Sequence, residues 1–239
     1  KEENNFFPAL EEISSKEADK AKIMWINYPN SPTSKVATEE FLKRVIDFCQ
    51  ENDILLASDE AYSEMYYDDG KKPVSIFNID GGLDTGLVFH SLSKRSNMTN
   101  YRIGFVTGRE KYLDSFKKVQ TNLHSGQAQI LQHAAIGALN DEEHVEKMRD
   151  IYSKKRELLI PALKETGFSK IYSEGTFYLW SKLPEGNSSV DVVKKLLKEK
   201  GINTAPGSAL TKSTDVGEKF LRFALVPSLE KTEEAARRL

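Results

Sequence analysis

The sequence is poor in cysteine and has no long apolar run. Cys49 is the one cysteine among 239 residues, so no internal disulfide can form, and this usage fits a reducing compartment. No apolar run approaches the roughly 20 residues that a membrane-spanning helix needs. Charged and polar residues fill positions 1–5, which is not the pattern of a signal peptide. We expect a cytoplasmic protein that makes no contact with a membrane.

The chain also lacks a clear excess of basic or of acidic residues. The chain has 34 basic and 36 acidic residues, which gives a formal net charge of -2. Such a balance lacks the basic footprint of nucleic-acid-binding proteins and the polybasic patch that binds anionic lipid, so we expect neither partner. A chain of this length can bury a sizeable core, or it can form one domain and part of a second. Because residue 1 is not an initiator methionine, we interpret the sequence as a piece of a longer protein.

The first half of the chain has the pattern of a parallel strand–helix–strand unit. Residues 23–27 and 54–57 are short apolar runs that predict strands, and a helix is predicted to begin at Thr38. This order and spacing are typical of a right-handed unit in a parallel sheet. The predicted helix has its apolar residues at three- and four-residue spacing: Phe41, Leu42, Val45, Ile46 and Cys49.

Two further apolar runs enclose a group of reactive side chains. Residues 87–89 predict a buried strand, and residues 103–106 predict a second one. Only eight residues separate Lys94 from the second run, whereas a parallel crossover needs a dozen or more, so the second strand should return antiparallel. Ligands of open α/β sheets bind in the crevice beyond the strand ends. A group with a phosphate and a carbonyl suits this edge, where Lys94 can condense with the carbonyl as a Schiff base. The phosphate would be held by Ser91, Ser93 and Arg102.

The pattern of predicted strands and helices changes in the second half of the chain, after a long charged helical segment. Residues 141–163 predict that helix, whose length and solvated faces suit a connector between two domains. From residue 169 onward, short apolar runs alternate with two helical patterns, as in a small α+β domain. We expect part of a larger α/β domain over residues 1–140, a connecting helix over 141–167, and the small domain over 168–239.

Ser91, Lys94 and Arg102 stand in the order and spacing of a known signature. Ser-x-x-Lys with an arginine eight residues after the lysine resembles the motif of fold-type I pyridoxal-phosphate aminotransferases of class I/II. The string from Ser91 to Asn97 is similar to the branch with succinyldiaminopimelate, LL-diaminopimelate and aspartate aminotransferases. The resemblance implies a mostly parallel, helix-flanked sheet followed by a small α+β C-terminal domain. It also implies a homodimer that moves an amino group from an amino acid to a 2-oxo acid, with pyridoxal 5'-phosphate held as a Schiff base on Lys94.

Further side chains match positions of this family. Asp59 ends the second predicted strand, and the resemblance implies that it keeps the pyridine nitrogen of the cofactor protonated; a helix N-cap is the alternative. Tyr62 resembles the family tyrosine that hydrogen-bonds the phenolic oxygen of the cofactor. Arg222 lies in the middle of an apolar run, where an unpaired charge is costly. The resemblance implies that Arg222 clamps the α-carboxylate of the substrate, and a structural salt bridge is the alternative.

The loop from Asn27 to Thr33 resembles the N-P-x-N-P-T-G motif of the family, with two departures. Ser31 stands where the family has the asparagine that contacts cofactor and substrate, and Ser34 stands where it has glycine. Asn30 lies one place earlier. Serine can donate one hydrogen bond but is shorter than asparagine and offers no amide. We expect Ser31 to contact the cofactor and the substrate, with Asn30 beside it at the substrate.

Two functions other than transamination are compatible with these motifs. A C–S lyase uses the same cofactor site, and an aminotransferase-like ligand-sensing domain of a transcription regulator keeps the fold without the reaction. The family extends further at its N-terminus, where a glycine-rich turn, a helix start and an aromatic ring hold the cofactor. We therefore expect residues 1–239 alone to bind pyridoxal phosphate weakly and not to transaminate.

Overall fold

The computed structural model describes residues 2–67 and 72–239, which contain two four-stranded sheets. The strands are β1 (Ile23–Asn27), β2 (Leu55–Asp59), β3 (Gly86–Ser91), β4 (Gly104–Gly108), β5 (Lys170–Tyr172), β6 (Tyr178–Lys182), β7 (Ala205–Pro206) and β8 (Phe220–Ala224). The first sheet has the order β1-β2-β3-β4, in which β1, β2 and β3 run parallel and β4 is antiparallel to β3. The second sheet has the order β5-β6-β8-β7, and all its neighbouring pairs are antiparallel. The expected α/β fold with a mostly parallel first sheet is confirmed.

Helices flank both sheets. Within the described residues they are α1 (Ser15–Ala18), α2 (Glu39–Glu51), α3 (Gly82–Thr85), α4 (Leu92–Arg95), α5 (Glu110–His124), α6 (Gln129–Leu139), α7 (Glu143–Glu165), α8 (Ser189–Lys195), α9 (Thr214–Gly217) and α10 (Leu229–Arg238). A wider helical turn, Leu196–Lys200, continues α8. None of these helices is both long enough and apolar enough to cross a membrane.

The predicted parallel unit β1–α2–β2 is confirmed. α2 begins where the Thr38 side chain accepts a hydrogen bond from Phe41 N at 3.1 Å, which is the usual way to satisfy a free N–H in the first turn. The apolar face of α2 packs on the sheet, and Val45, Ile46 and Cys49 are fully buried there. Burial raises the pKa of the Cys49 thiol to about 12, so this cysteine fills the core as a small apolar residue.

The antiparallel return of β4 is confirmed as well. Ser91 lies opposite Gly104, and His90 lies opposite Phe105. The two backbones approach closely, since a Cβ on Gly104 would lie 2.5 Å from His90 O. The end of β3 and the start of β4 therefore share one edge of the first sheet.

The second sheet packs against α7 and α10 and has its own core. Leu179 and Leu221 are fully buried in it, together with Val145 and Leu163 of α7. The sequence did not predict β7 or the four-residue helices α3, α4 and α9, because two to four residues carry no readable periodicity.

Candidate active site

Lys94 lies at the edge of the first sheet where β3 ends and β4 begins. β3 passes directly into the single turn of α4, and the Ser91 side chain caps this turn by accepting a hydrogen bond from Ser93 N at 3.3 Å. Leu92 is buried and anchors the turn, with its N–H donating to Ile103 O at 3.2 Å. The half-buried Lys94 side chain is thereby held beyond the strand ends.

Two aromatic rings lie beside the Lys94 amine. Its Nζ is 5.3 Å from the ring centroid of Tyr62 and 5.3 Å from that of Phe177, and an ammonium group over an aromatic face is favourable. Phe177 directly precedes β6, so the amine lies where the two sheets meet. Burial, and next a hydrogen bond with Tyr178, raise the pKa of Tyr62 well above its usual range. Tyr62 is therefore a neutral phenol at neutral pH.

Asp59 ends β2 next to this group. Its Oδ1 accepts a hydrogen bond from Ala61 N at 3.1 Å, and its backbone oxygen accepts one from Asn27 Nδ2 at 3.1 Å. This contact closes the turn at residues 61–64, and no helix begins within residues 60–67, so the helix N-cap that the sequence left as an alternative is not formed. Within the part of the chain that the structure describes, the other carboxylate oxygen accepts no hydrogen bond. A second role for this oxygen is compatible with the turn contact.

Arg222 lies in the middle of β8, opposite Trp180 of β6. Its Nη1 donates to Ser31 Oγ at 3.2 Å, and its Cζ lies 4.1 Å from the ring centroid of Tyr178. Its Nε is buried without a hydrogen-bond partner, and no salt bridge of Arg222 forms among residues 2–67 and 72–239. A buried donor without an acceptor is rare. Because the guanidinium has no carboxylate partner among the described residues, its charge is not neutralised by an ion pair there.

The three side chains predicted to hold a phosphate are placed differently from one another. Ser91 and Ser93 stand at the start of α4, and Ser93 is 8% exposed. Arg102 is exposed, with a left-handed backbone at φ 53°, and its Nη1 donates to Thr99 O at 2.9 Å. Arg102 would therefore have to exchange this carbonyl for a phosphate oxygen.

The loop after β1 is held mainly by its own asparagines. Asn27 Oδ1 accepts a hydrogen bond from Ser31 N at 3.0 Å. Asn30 Oδ1 accepts from Thr33 N at 3.2 Å and from Thr33 Oγ1 at 2.7 Å, while Asn30 Nδ2 donates to Asn27 O at 3.2 Å. Both ends of the Asn30 amide are occupied inside the loop, so this geometry gives no support to its predicted substrate contact. Ser31 instead points to the second sheet, at Arg222.

Sequence reasoning missed three residues of this site: Asn27, Phe177 and Tyr178. Asn27 belongs to the loop motif, but only the contact with Asp59 O shows that it joins the ends of β1 and β2. Phe177 and Tyr178 lie in an aromatic run in which nothing distinguishes rings of the core from rings of the site.

The donor set fits pyridoxal phosphate. Lys94 has an amine that could condense with its carbonyl, Asp59 has a carboxylate of the kind its pyridine nitrogen needs, and Tyr62 has a buried phenol that could meet its phenolic oxygen. Within the described residues, the guanidinium of Arg222 makes a single side-chain hydrogen bond and no salt bridge, which leaves N–H groups for a carboxylate. The described residues contain no group of three or more side chains that could hold a metal ion.

Curated relatives match over the whole chain. LL-diaminopimelate aminotransferase from Aquifex aeolicus is 45% identical over 240 residues, which cover 100% of this chain and 61% of the relative. LL-diaminopimelate aminotransferase from Halothermothrix orenii is 41% identical, with 100% of this chain and 60% of the relative covered. The chain thus spans about 60% of the length of these relatives.

Solved structures share the fold. Substrate-bound BacF from Bacillus subtilis has a TM-score of 0.89 at 29% identity, covering 100% of this chain and 60% of the other. Aspartate aminotransferase from Thermotoga maritima has a TM-score of 0.87 at 30% identity, covering 99% of this chain and 60% of the other. The probable N-succinyldiaminopimelate aminotransferase from Thermus thermophilus has a TM-score of 0.86 at 27% identity, covering 97% and 61%.

A sequence model of one family matches residues 1–239 from end to end. Pyridoxal phosphate is the cofactor of that family, and amino acids and 2-oxo acids are its expected substrates. The match agrees with the lysine, carboxylate, phenol and guanidinium gathered where the two sheets meet. The chain belongs to the family of aminotransferases of class I and II.

Proposed function

We propose that the protein is a pyridoxal-phosphate-dependent aminotransferase that moves an amino group from an amino acid to a 2-oxo acid. The observation that carries this proposal is the position of the Lys94 amine beside the Tyr62 ring, together with Arg222 in β8, which forms no salt bridge within the described residues. The two curated relatives named above are LL-diaminopimelate aminotransferases, which supports a place in diaminopimelate- or lysine-type metabolism. Their names favour a transaminase over a C–S lyase or a ligand-sensing domain.

The first sheet would supply the groups that act on the reacting atoms. When bound, pyridoxal phosphate supplies an electron sink for the bond that breaks at the substrate α-carbon. Asp59 would keep the pyridine nitrogen protonated, since a carboxylate beside it favours the charged form. Tyr62 would donate a hydrogen bond to the phenolic oxygen. Lys94 would hold the cofactor and then, as general base, move the proton of the α-carbon.

The second sheet would hold the substrate. Arg222 offers a planar guanidinium, which matches a carboxylate better than an ammonium group does. Ser31 fixes one end of that guanidinium through Nη1, and the Tyr178 ring supports its face. The α-carboxylate of the amino acid would therefore bind at the remaining N–H groups of Arg222, with the α-carbon within reach of Lys94.

The phosphate of the cofactor would bind at the start of α4. Ser91 and Ser93 offer hydroxyl groups there, and Arg102 would supply a charge-assisted contact after leaving Thr99 O. The substrate contact of Asn30 is the weakest part of the assignment, because its amide is used inside the loop.

The proposal extends to domains, partners and compartment. The domains are the larger domain over 1–140, the connector over 141–167 and the small domain over 168–239. α7 ends at Glu165 and β5 begins at Lys170, which supports the second boundary. The whole protein acts as a cytoplasmic homodimer, as expected for the family, with no nucleic-acid or membrane partner.

A titration with pyridoxal phosphate followed by borohydride reduction tests the proposal. In the complete protein that contains this chain, we expect a new absorbance band and, after reduction and proteolysis, the added cofactor mass on the peptide with Lys94. Lys94→Ala should abolish this label, whereas Lys72→Ala, at an exposed lysine, should leave it intact. A stoichiometric label on another lysine would refute the assignment.

A further inference from the structure

Ser34 stands where the loop after β1 meets the second sheet, and its conformation is unusual. Its side chain is fully buried, and its backbone has a φ of 63°. Residues other than glycine are uncommon in this left-handed region, because their Cβ crowds the backbone. A strained residue persists only where its surroundings hold it in place, and such residues cluster at functional sites. Ser34 therefore needs an explanation beyond packing.

The Ser34 hydroxyl joins the loop to residues 175–178. It donates to Gly175 O and lies 3.0 Å from Tyr178 O, which it can also reach as a donor. The hydroxyl of Thr176 lies 3.1 Å away. Backbone bonds reinforce the junction: Ser34 N donates to Asn30 O at 2.8 Å, and Gly175 N donates to Ser34 O at 2.9 Å. Side chain and backbone of one residue thus connect the two sheets.

The partner segment has little freedom to move. A Cβ on Gly175 would lie 2.9 Å from Pro29 Cβ and 3.1 Å from Met65 O, so a side chain at this position would be crowded. Thr176 also has a left-handed backbone, with a φ of 60°. Ser34 and residues 175–178 therefore have little room to move independently. A shift of Ser34 would also move residues 175–178.

Both supports of Arg222 are attached to this junction. Ser31, which accepts from Arg222 Nη1 at 3.2 Å, lies three residues before Ser34 in the same loop. Tyr178, whose ring lies 4.1 Å from Arg222 Cζ, has its backbone oxygen within reach of the Ser34 hydroxyl. Ser34 thus fixes Ser31 and Tyr178 relative to each other, and these two residues contact the Arg222 guanidinium. Ser34 itself does not touch the guanidinium.

We propose that Ser34 is a positioning residue for carboxylate recognition. Its hydroxyl fixes the loop against residues 175–178, so that Ser31 and the Tyr178 ring orient Arg222 to receive the α-carboxylate of the substrate. This inference rests on the role of Arg222 in the proposed function. A glycine at this position would adopt the backbone more easily but would remove the hydroxyl.

Two substitutions at Ser34 separate the hydroxyl from the backbone conformation. Ser34→Ala removes the hydroxyl and keeps the left-handed strain, whereas Ser34→Gly removes both. The probe is 2-aminoisobutyrate, an amino acid with an α-carboxylate but no α-hydrogen, titrated into the cofactor-loaded complete protein and followed by cofactor absorbance. We expect both variants to raise the Kd of the probe by about fivefold to tenfold, as the loss of one hydrogen bond would. The affinity for the cofactor itself should be unchanged.

A matched control and a second readout exclude a general loss of stability. Thr232→Val removes another buried hydroxyl, which donates to Ser228 O at 3.0 Å in α10, far along the chain from the loop. It should leave the Kd of the probe unchanged. Amide hydrogen exchange should be faster around Gly175 in both Ser34 variants, because the amide there donates to Ser34 O, and not in Thr232→Val.

Arg222→Gln distinguishes the two proposals. If Arg222→Gln leaves the Kd of the probe unchanged, the proposed role of Arg222 is wrong and the positioning role of Ser34 falls with it. If Arg222→Gln weakens binding but both Ser34 variants bind like the wild type, the positioning role alone is overturned. An equal loss of affinity in Thr232→Val would also overturn it. The expected result is weaker binding in Arg222→Gln and in both Ser34 variants only.

Discussion

The two sheets have the same number of strands but differ in how they are covered. In β6, successive residues point to opposite faces, and both Leu179 and Trp180 are at most 1% exposed, so this central strand of the second sheet is buried on both faces. In β1, Ile26 is buried against α2, whereas Trp25 on the opposite face is 58% exposed. α5, which follows β4, has no buried residue.

The residues proposed for the reaction are divided between the two sheets. The groups proposed to act on the reacting atoms, Lys94, Asp59 and Tyr62, stand at strand ends of the first sheet. Arg222, proposed to hold the substrate, stands in the middle of the second sheet. A strand that is covered on both faces fixes a side chain through many contacts, whereas a strand end presents side chains to a ligand. The following predictions test this separation, from the largest expected effect to the smallest.

Asp59→Asn should lower turnover while leaving binding nearly intact. The amide keeps an oxygen that can accept from Ala61 N, so the turn contact survives, but the charge beside the cofactor is lost. We expect turnover of the complete protein to fall by about a thousandfold or more, within the range of acid–base effects, and cofactor affinity to change little. Single-turnover and cofactor-binding measurements check this. Normal turnover would show that Asp59 serves only to hold the turn after β2.

Phe223→Ala and Phe105→Ala compare the same substitution in the two sheets. Phe223 of β8 is 3% exposed and Phe105 of β4 is 37% exposed. We expect Phe223→Ala to lower the free energy of unfolding by about 3–5 kcal/mol, the usual cost of a cavity in a core. Phe105→Ala should lower it by only about 1–2 kcal/mol, because the ring, packed 5.0 Å from that of His90, is only partly removed from water. Urea unfolding measures both, and equal losses would contradict the contrast between the sheets.

Arg222→Lys should affect substrate binding more than chemistry. Lysine keeps the charge but loses the planar fork and its contacts with Ser31 and the Tyr178 ring. We expect KM for the amino donor to rise about tenfold to a hundredfold, with kcat much less affected. Steady-state kinetics at saturating cofactor measure this, and Arg44→Lys, at an exposed arginine paired with Glu11, is the control. A fall in kcat alone would place Arg222 among the reacting groups.

Acid should weaken a contact that ties the N-terminal segment to the second sheet. Glu2 accepts hydrogen bonds from Lys170 at 2.7 Å, Lys182 at 2.8 Å and Tyr172 at 2.7 Å, and these, with Lys170 first, lower its pKa from 4.5 to about 2. Because the pKa is lower in the folded state, the contribution to stability is present above about pH 4.5 and is lost as the pH falls toward 2. We expect this contact to contribute less than about 1 kcal/mol to the free energy of unfolding, as other surface ion pairs do.

Glu2→Gln should remove this part of the pH dependence. Urea unfolding at several acidic pH values measures it, with Glu3→Gln, at an exposed neighbouring glutamate, as the control. The same pH dependence in Glu2→Gln and the wild type would show that the contact contributes nothing.

Local patterns in the sequence were enough for the framework of the fold. The spacing of Phe41, Leu42 and Val45 predicts the buried face of α2, and the short distance between Lys94 and the next apolar run predicts the antiparallel β4. Both follow from neighbouring residues: helix periodicity and loop length are properties of a short stretch of chain. Strands of two residues and helices of one turn, such as β7 and α4, carry no such pattern and were missed.

The sequence by itself also determined which chemical groups the chain carries, and the order of Ser91, Lys94 and Arg102 was enough to indicate the family. Only the tertiary structure decided which groups meet. The Ser31–Arg222 hydrogen bond joins residues 191 positions apart, and the Ser34–Tyr178 contact joins residues 144 positions apart. Periodicity reports whether a side chain is buried, not what it is buried against. Such partners are fixed by how β6 and β8 pack on the loop after β1, and that packing depends on the whole chain at once.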